Sequence, residues 1–579
     1  MPFVVVVDDP AHPGGVVLVE TADDGSARHR TPVAPGDLPA AVARRESDPS
    51  ARPRWVWDDT ARRYPPLLEA GVRVERCHDL RLCHAILRRS VLCAGSRLAE
   101  APAGPWDAAR PDVPAATAGA TTLFDAAFGD DAASGDDAAF DHTASGAAAH
   151  AGGGTPDPVA ALGDQLEAVA GSREPGRLRL LLAAESTGAL IAAEMRHDGM
   201  PWDVRVHDRT LTAALGERPR AGGRPRRLEA VADQVRAALD RPGLNVDSQP
   251  ELLAALRAAG LDVTSTRKGE IRGLDHPVVE PLLEHKRLSR LLSANGWTWM
   301  QTWVQDGRFR PDYVPGGVVT GRWATSGGGA LQLPADIRAA VRADPGWRLV
   351  VADAAQLEPR VLAAMSGDDA MAAAGRAADL YQGLVAAGVV QTREQAKYAM
   401  LGALYGATSG ASGALVPRLT RAYPRALGLV ERAARAGEHG EVVSTWLGRT
   451  SPAPSPAFLD ALHAASGEGA DAEEVRAVRR RARDWGRFTR NFVVQGTAAE
   501  WALCWMASLR RRLRDVEGRP HLVFFLHDEV MVHAPEPAAD AVADAVRAAA
   551  AEAGRLLFGA APVEFPLSVS VVESYDQAS

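Results

Sequence analysis

The stretch "HLVFFLHDEVMVHAP", His521 to Pro535, permits few placements in a fold. Two apolar runs, Val523 to Leu526 and Val530 to Val532, flank His527, Asp528 and Glu529, which reads as two strands joined by a tight turn. The tip of that hairpin carries two adjacent acids beside an otherwise apolar sheet. Like charges in such a setting repel and lose water, at roughly a few kcal/mol, unless a cation joins them. A second apolar strand, Leu349 to Ala352 in "GWRLVVADAAQLEPRVLAAM", delivers Asp353 at its end, and Gln356, Glu358 and Arg360 follow as a helix begins. Each acid alone has an ordinary explanation, the pair as a polar turn and Asp353 as a helix N-cap. Combined with a basic helix they supply what phosphoryl transfer requires: two divalent ions and a cationic clamp for phosphates.

That helix is "TREQAKYAMLGALYG", Thr392 to Gly406. Arg393, Lys397, Leu401 and Tyr405 recur every four residues and so lie along one slowly drifting stripe. Of the 65 lysines and arginines in the chain, only Lys268, Lys286 and Lys397 are lysine, a bias matching the coding habit of a GC-rich genome. Where arginine replaces lysine so freely, a retained lysine marks a site that needs a compact charge able to give up a proton. Lys397 is therefore expected to touch a triphosphate and to protonate the leaving pyrophosphate.

At 579 residues the chain is expected to form three or four units. No apolar run approaches the roughly 20 residues a bilayer needs, and "MPFVVVVDDP" reads as a first strand, so a cytoplasmic protein is expected. Four cysteines are too few for a disulfide framework. Cys77, His78, Cys83 and His84 in "CHDLRLCH" are possible zinc ligands, but their spacing matches no usual finger and the segment reads as a helix with an apolar cysteine. A net charge of -8 excludes a uniformly basic, nucleic-acid-coating surface, while arginine clumps at 216–236, 476–490 and 510–514 leave room for local stripes. The ordinary reading of such runs is a solvated helix face.

Along the chain, residues 1 to about 100 read as a small α/β unit with a helix-like stretch from Pro65 to Arg89. Residues 101–158 collapse to Ala, Gly, Asp, Thr and Pro and read as a disordered insert. Helical periodicity returns at Leu178 and continues to about Met300, glycine-rich loops and short strands follow from Tyr313, and 371 to 510 is helical again. A final strand is expected at "PLSVSVVES".

At this level of detail residues 180 to 579 resemble family A DNA polymerases, the bacterial polymerase I type. "DAAQLEPR" resembles the family's motif A (DYSQIELR), "REQAKYAMLGALYG" its motif B (R-x-x-x-K-x-x-x-F-G-x-x-Y-G), and "LHDEV" is identical to the core of motif C. "TGRWATS" and "NFVVQGTAAEWA" resemble two further blocks, and all five come in the family's order. The resemblance implies a multi-domain α+β protein of actinobacterial type. It would have a right-hand fold with an antiparallel-sheet palm and helical fingers and thumb, preceded by a degenerate RNase H-like 3′-5′ exonuclease-type α/β domain. The expected boundaries are 1–190 for that first domain, 191–310 for the thumb, 311–370 and 495–579 for the palm, and 371–494 for the fingers.

The implied activity is template-directed addition of deoxynucleotides to a primer 3′-hydroxyl. The implied cofactor is a pair of magnesium ions, and the partners are primer-template DNA and deoxynucleoside triphosphates. A monomer associated with the nucleoid is expected. Carried over residue by residue, Asp353 and Asp528 bind the metals with Glu529 beside them, and Arg393 and Lys397 hold the triphosphate. Glu358 and Tyr405 close off the space of a ribose 2′-hydroxyl, while Gln356, Tyr381 and Leu401 complete the nucleotide pocket. Arg322, Gln495, His527 and Arg338 face the DNA, the first two at minor-groove acceptors shared by all correct pairs. Leu401 stands where the family usually has Phe or Tyr, Met400 where it often has Asn, Tyr381 where it often has His, and Pro359 where it has Leu. No Asp-x-Glu occurs in residues 1–200, so the exonuclease is expected to be inactive and a chain starting near Gly176 to retain synthesis. The alternatives are a bifunctional polymerase and exonuclease, with Asp58 or Asp59 in the nuclease site, and a non-catalytic DNA-binding scaffold.

Overall fold

The computed structural model describes residues 3–48, 52–107, 157–220, 223–376, 379–406, 410–467 and 471–578. The valine-rich start forms β1 (Phe3–Asp8), antiparallel to β2 (Val16–Thr21), which pairs with β3 (Ala27–Val33). On its other side β1 runs parallel to β4 (Arg54–Trp57), and β4 parallel to β5 (Cys77–Asp79), giving the order β3-β2-β1-β4-β5. Helices α1 (Leu80–Arg89), α2 (Pro158–Ala170) and α3 (Pro175–Asp198) pack on this sheet. The region is therefore an α/β unit.

Three sequence expectations change here. The stretch Pro65–Arg89 is a short helix (Pro65–Glu69), a strand and a helix, because the buried Cys77, His78 and Asp79 pair with β4 at the edge of the sheet, which overrides helical periodicity. The histidines of "CHDLRLCH", which the sequence reading does not assign to zinc, have other partners: His78 Nε2 meets Gln165 Oε1 at 2.7 Å and His84 meets Asp107 at 3.0 Å. Helix returns at Pro158, ahead of Leu178, capped by Asp157, whose carboxylate accepts the Val159 amide. The expected insert also ends its ordered approach later than 101, since Trp106 lies against the Arg81 guanidinium. Its remainder, 108–156, lies outside the described residues.

The middle of the chain supplies helices Val204–Leu215, Arg226–Ala238, Gln249–Ala258 and Val279–Asn295, of which the last three share a separate apolar cluster around Leu256 and Leu282. A second sheet follows. Its central strand β6 (Trp347–Ala354) lies antiparallel between β8 (Glu529–Pro535) and β9 (Leu567–Val572), and β7 (His521–Leu526) pairs with β8 at the edge. Leu349, Val350, Val523, Phe524, Val530 and Val532 are all buried in one core with the helices behind. Those helices are α4 (Leu357–Ser366), α5 (Leu380–Ala386), α6 (Arg393–Tyr405), α7 (Pro424–Glu438), α8 (Ala472–Leu513) and α9 (Ala539–Phe558). At 42 residues α8 is about 63 Å long. Asp471 caps it, Glu473 and Glu474 fill its first turn and Arg510, Arg511 and Arg512 its last, each sign matching the helix dipole. The expected boundaries at 190/191 and 494/495 fall inside α3 and α8, so each helix serves both neighbours.

The first unit is welded to the rest. Arg510 at the end of α8 is buried, donating from Nε to Glu194 Oε2 (2.8 Å) and from Nη2 to Glu194 Oε1 (2.7 Å) and the Val74 carbonyl (2.6 Å). Tyr64 donates to the same carboxylate at 2.6 Å. Leu87, Cys93 and Val169 join the main core, and Ser90 donates to the Gly448 carbonyl at 2.8 Å. This packing means that a chain starting near Gly176, expected from sequence to retain synthesis, loses part of the main core. A chain starting at Gly176 leaves that core open and Glu194 without Tyr64, so it is predicted to melt well below the full chain. Arg510→Met, which strands the buried Glu194, is predicted to cost about 3 to 5 kcal/mol in urea unfolding. A shortened chain melting with the full one would contradict this docking.

Candidate active site

The carboxylates converge because of strand register. Asp353 on β6 pairs directly with Glu529 on β8, and the Ala354 amide donates to the Asp528 carbonyl at 2.9 Å. The turn between β7 and β8 is only His527 and Asp528. His527 takes the left-handed conformation (φ +56°) and the Asp528 amide donates to the Leu526 carbonyl at 2.7 Å. A slip of one residue would turn the acids to the opposite face of the sheet, so the apolar pattern that fixes register also fixes the acids. Asp353 is not a helix N-cap: Gln356, also left-handed at φ +49°, precedes α4.

No cation neutralises this rim fully. Desolvation raises the Asp353 carboxyl, whose outer face remains exposed. Asp528 is pushed up to about 7, first by burial and then by Asp353, with Arg322 pulling the other way. Burial raises Glu529 too, against the Tyr575 hydroxyl that donates to it at 3.0 Å and the positive charge of Arg338. Arg338 stands 4.6 Å over the Tyr575 ring. His527 is lowered to about 3 by burial and by Arg322, and is neutral at physiological pH.

Asp528 and His527 open onto a cleft lined also by Arg322, Gln356, Glu358, Tyr381 and Leu401, with Leu404, Ala498 and Ala499 adding apolar wall. Glu358 is held at both oxygens: Arg322 Nη2 donates to Oε1 at 2.5 Å and the Tyr405 hydroxyl to Oε2 at 3.1 Å. Both members of the Arg322–Glu358 pair are nearly covered, at 11% and 8% exposure, so this is a fixed wall and not a surface contact. Gln356 Oε1 accepts the Leu380 amide (3.1 Å), tying the starts of α4 and α5 together. Gln495 is buried on α8 one turn before Ala498.

Helix α6 begins at Thr392, whose hydroxyl accepts the Gln395 amide, and ends at Gly406 in the left-handed region (φ +74°). Its stripe runs from the exposed Arg393 and Lys397 to the buried Leu401 and half-buried Tyr405. Arg393 Nε donates to Asp379 Oδ2 at 2.6 Å and the guanidinium lies 5.7 Å from the Tyr381 ring centre. Lys397 has no ion-pair partner among the described residues. Met400 is fully buried and does not line the cleft.

The structure thus brings together Asp353, Asp528, Glu529, His527, Arg322, Glu358, Gln356, Tyr381, Leu401 and Tyr405, and sets Arg393 and Lys397 on the same helix farther out. Two contributors were missed. Asp379, which both caps α5 and holds Arg393, had a visible signal in the capping position of "DLYQG". Tyr575 reaches Glu529 from 46 residues away and had none.

Among the described residues no three His, Cys, Asp or Glu side chains already form a closed metal cage. A pair of uncompensated carboxylates is nonetheless the donor set that suits magnesium, which keeps several waters and is bound through one or two carboxylates plus substrate phosphates. Among the described residues, no helix is long and apolar enough to cross a membrane.

Comparison with known proteins agrees with this geometry. The chain is 27% identical over 335 residues to DNA polymerase I of Chloroflexus aurantiacus, covering 52% of this chain and 33% of that protein. It is 26% identical over 454 residues to the thermostable DNA polymerase I of Thermus aquaticus, covering 71% and 50%. The chain therefore spans a third to a half of the length of these curated relatives. Among solved structures, "POL domain of Pol1 from M. smegmatis complex with DNA primer-template and dNTP" matches with a TM-score of 0.62 at 19% identity, covering 99% of this chain and 95% of that one, which establishes a shared fold. Residues 226–576, more than half of the chain, match the profile described as DNA polymerase family A, and the chain belongs to that family.

Proposed function

We propose that the chain is a template-directed DNA polymerase that extends a primer 3′-hydroxyl with deoxynucleotides, working as a monomer at the nucleoid. One observation carries the proposal: desolvated carboxylates gathered at a sheet rim, with Asp528 in the wall of a cleft that Leu401 of α6 also lines, while the same helix bears Arg393 and Lys397 farther out. In this reading the four-stranded sheet is the palm, α5 to α7 and the outer half of α8 the fingers, and the helices of 204–295 the thumb.

Asp353 and Asp528 would hold two magnesium ions, which when bound neutralise phosphate charge and make the primer hydroxyl easier to deprotonate. The 3′-oxygen forms a bond to the α-phosphorus as the bond to pyrophosphate breaks. Arg393, released from Asp379, would fork onto phosphate oxygens, and Lys397 would contact one oxygen and donate a proton to the departing pyrophosphate. Glu358, immobilised by Arg322 and Tyr405, would occupy the space of a 2′-hydroxyl. Neutral His527 would support the primer terminus, and Arg322 and Gln495 would meet minor-groove acceptors. Arg338 would reach this end of the duplex from beside Tyr575.

The first unit is proposed to be without nuclease activity. Asp8, at the end of β1, and Asp58, just past β4, come together there through two arginines. Arg63 bridges them (2.7 and 3.0 Å), and Arg62 does the same (3.1 and 2.5 Å). Partial burial pulls Asp8 upward, but hydrogen bonds and charge from Arg63 and then Arg62 hold it below the usual range. Two guanidinium groups stand where metal ions would have to bind. Asp59 is used as the cap of a short helix.

With magnesium, four deoxynucleotides and a labelled primer-template, the full chain is expected to extend the primer. Asp353→Ala or Asp528→Ala is predicted to reduce the rate at least about 100-fold while leaving duplex binding nearly unchanged. Extension by either variant above about a hundredth of the parent rate would remove the metal assignment.

Lys397→Arg separates charge from proton donation. If Lys397 only supplied positive charge, this arginine-rich chain would tolerate the change. As a general acid meeting a single oxygen, it is predicted to lose roughly 100-fold in single-turnover rate at saturating nucleotide, with primed-DNA affinity unchanged. A near-normal rate would reduce it to a generic cation.

A further inference from the structure

The arginine run at 476–490 has no part in the chemistry above, yet its placement is specific. It forms the outer half of α8, whose inner half lines the cleft at Ala498 and Ala499. At 100° per residue, Arg476, Arg480, Arg483 and Arg487 all fall within roughly 60° of the direction of Ala498. The helix face that looks into the cleft therefore continues outward as a line of arginines.

The other faces of this half are occupied. The Arg481 guanidinium lies 5.1 Å from the ring centre of Phe458, on helix Pro456–Ala465, and Trp485 packs against the same ring at 6.4 Å. On another side Thr489 donates to the Ala433 carbonyl of α7 at 2.7 Å. Arg476, Arg480 and Arg483 are exposed and have no ion-pair partner among the described residues. Arg487 pairs with Asp484, and the other acids nearby on this helix, Glu473 and Glu474, sit in its first turn. The inner end of the line meets α6, since a side chain at Gly406 would stand 3.0 Å from Arg487 Cγ. Such a concentration of free positive charge, in a chain of net charge -8, is complementary to a polyanion that enters the cleft.

We propose that this face is a track for single-stranded template on its way into the cleft, with Arg476, Arg480 and Arg483 each meeting a backbone phosphate. The inference rests on the polymerase reading above and adds the partner of a surface that the reading leaves unused. From Arg480 to Ala498 is about 27 Å along the helix, enough for roughly four to eight nucleotides depending on how far the strand is stretched beyond the stacked spacing. The planar guanidinium of arginine also stacks on bases, so the track need not read sequence.

The test compares two primer-templates with the same duplex, one with a template overhang of about ten nucleotides and one of about two, in salt titrations of binding by anisotropy. Three phosphate contacts on a single strand add about 2 to the log–log salt slope, so a fourfold rise in salt should weaken long-overhang binding about 16-fold more than short-overhang binding. The triple variant Arg476→Gln, Arg480→Gln, Arg483→Gln should lose that increment while binding the short-overhang substrate as the parent does. Should the triple variant melt early, the three single variants each lower the increment by about 0.7. Equal slopes for the parent on both substrates, or an increment that survives the triple change, would overturn the track. A parent chain that binds neither substrate would overturn the polymerase reading itself.

Discussion

Two carboxylates that the fold forces together, neither of them in an ion pair among the described residues, are the constraint on which the rest of this structure turns. Asp353 and Asp528 are brought to one rim by the register of an apolar sheet; burial raises both, and the charge of Asp353 raises Asp528 further. Leaving them there costs folding free energy, which the sheet and the helices behind it must offset. A protein retains such an arrangement where a ligand supplies the missing positive charge. The remaining features follow from that vacancy of charge: a left-handed His527 keeps the turn tight, Arg322 and Tyr405 fix Glu358 beside it, and α6 holds its cations at a distance.

The chain contains the opposite arrangement as well. At the carboxyl ends of β1 and β4, Asp8 and Asp58 are also gathered, but Arg62 and Arg63 lie between them and hold Asp8 below its usual range. One acid cluster is raised by burial and only partly offset by Arg322 and Arg338, while the other is bridged by two arginines, so the same residue type is proposed to serve chemistry in one place and architecture in the other. The architectural part is substantial. Buried Arg510 joins β5's approach, α3 and α8 in a single network, which makes the first unit a support for the helix that lines the cleft.

Much of the site was legible in sequence because its geometry is local. A strand that ends in an acid, a two-residue turn and an i, i+4 stripe each place side chains by backbone periodicity alone, and Asp353, Asp528 and the α6 residues lie where that periodicity puts them. What escaped was set by tertiary contact. Tyr575 meets Glu529 only because the C-terminus returns beside β6, and Cys77–Asp79 becomes a strand only because β4 offers it an edge. Glu358's second partner, Arg322, and the weld at Arg510 likewise join residues far apart in the chain. The boundaries drawn at 190 and 494 fall within helices for the same reason: composition changes where function changes, while a helix runs on until a cap stops it.

The central claim, that Asp528 is an acid awaiting a cation, is tested most directly by titrating its carboxyl with carbon-13 NMR, assigned by loss of the signal in Asp528→Asn. Without divalent metal the midpoint should lie near 7, where burial and Asp353 place it. On adding magnesium it should fall by several pH units, because the bound cation favours the ionised form. An ordinary midpoint near 4 in the metal-free protein, or a midpoint near 7 that magnesium does not move, would contradict the account.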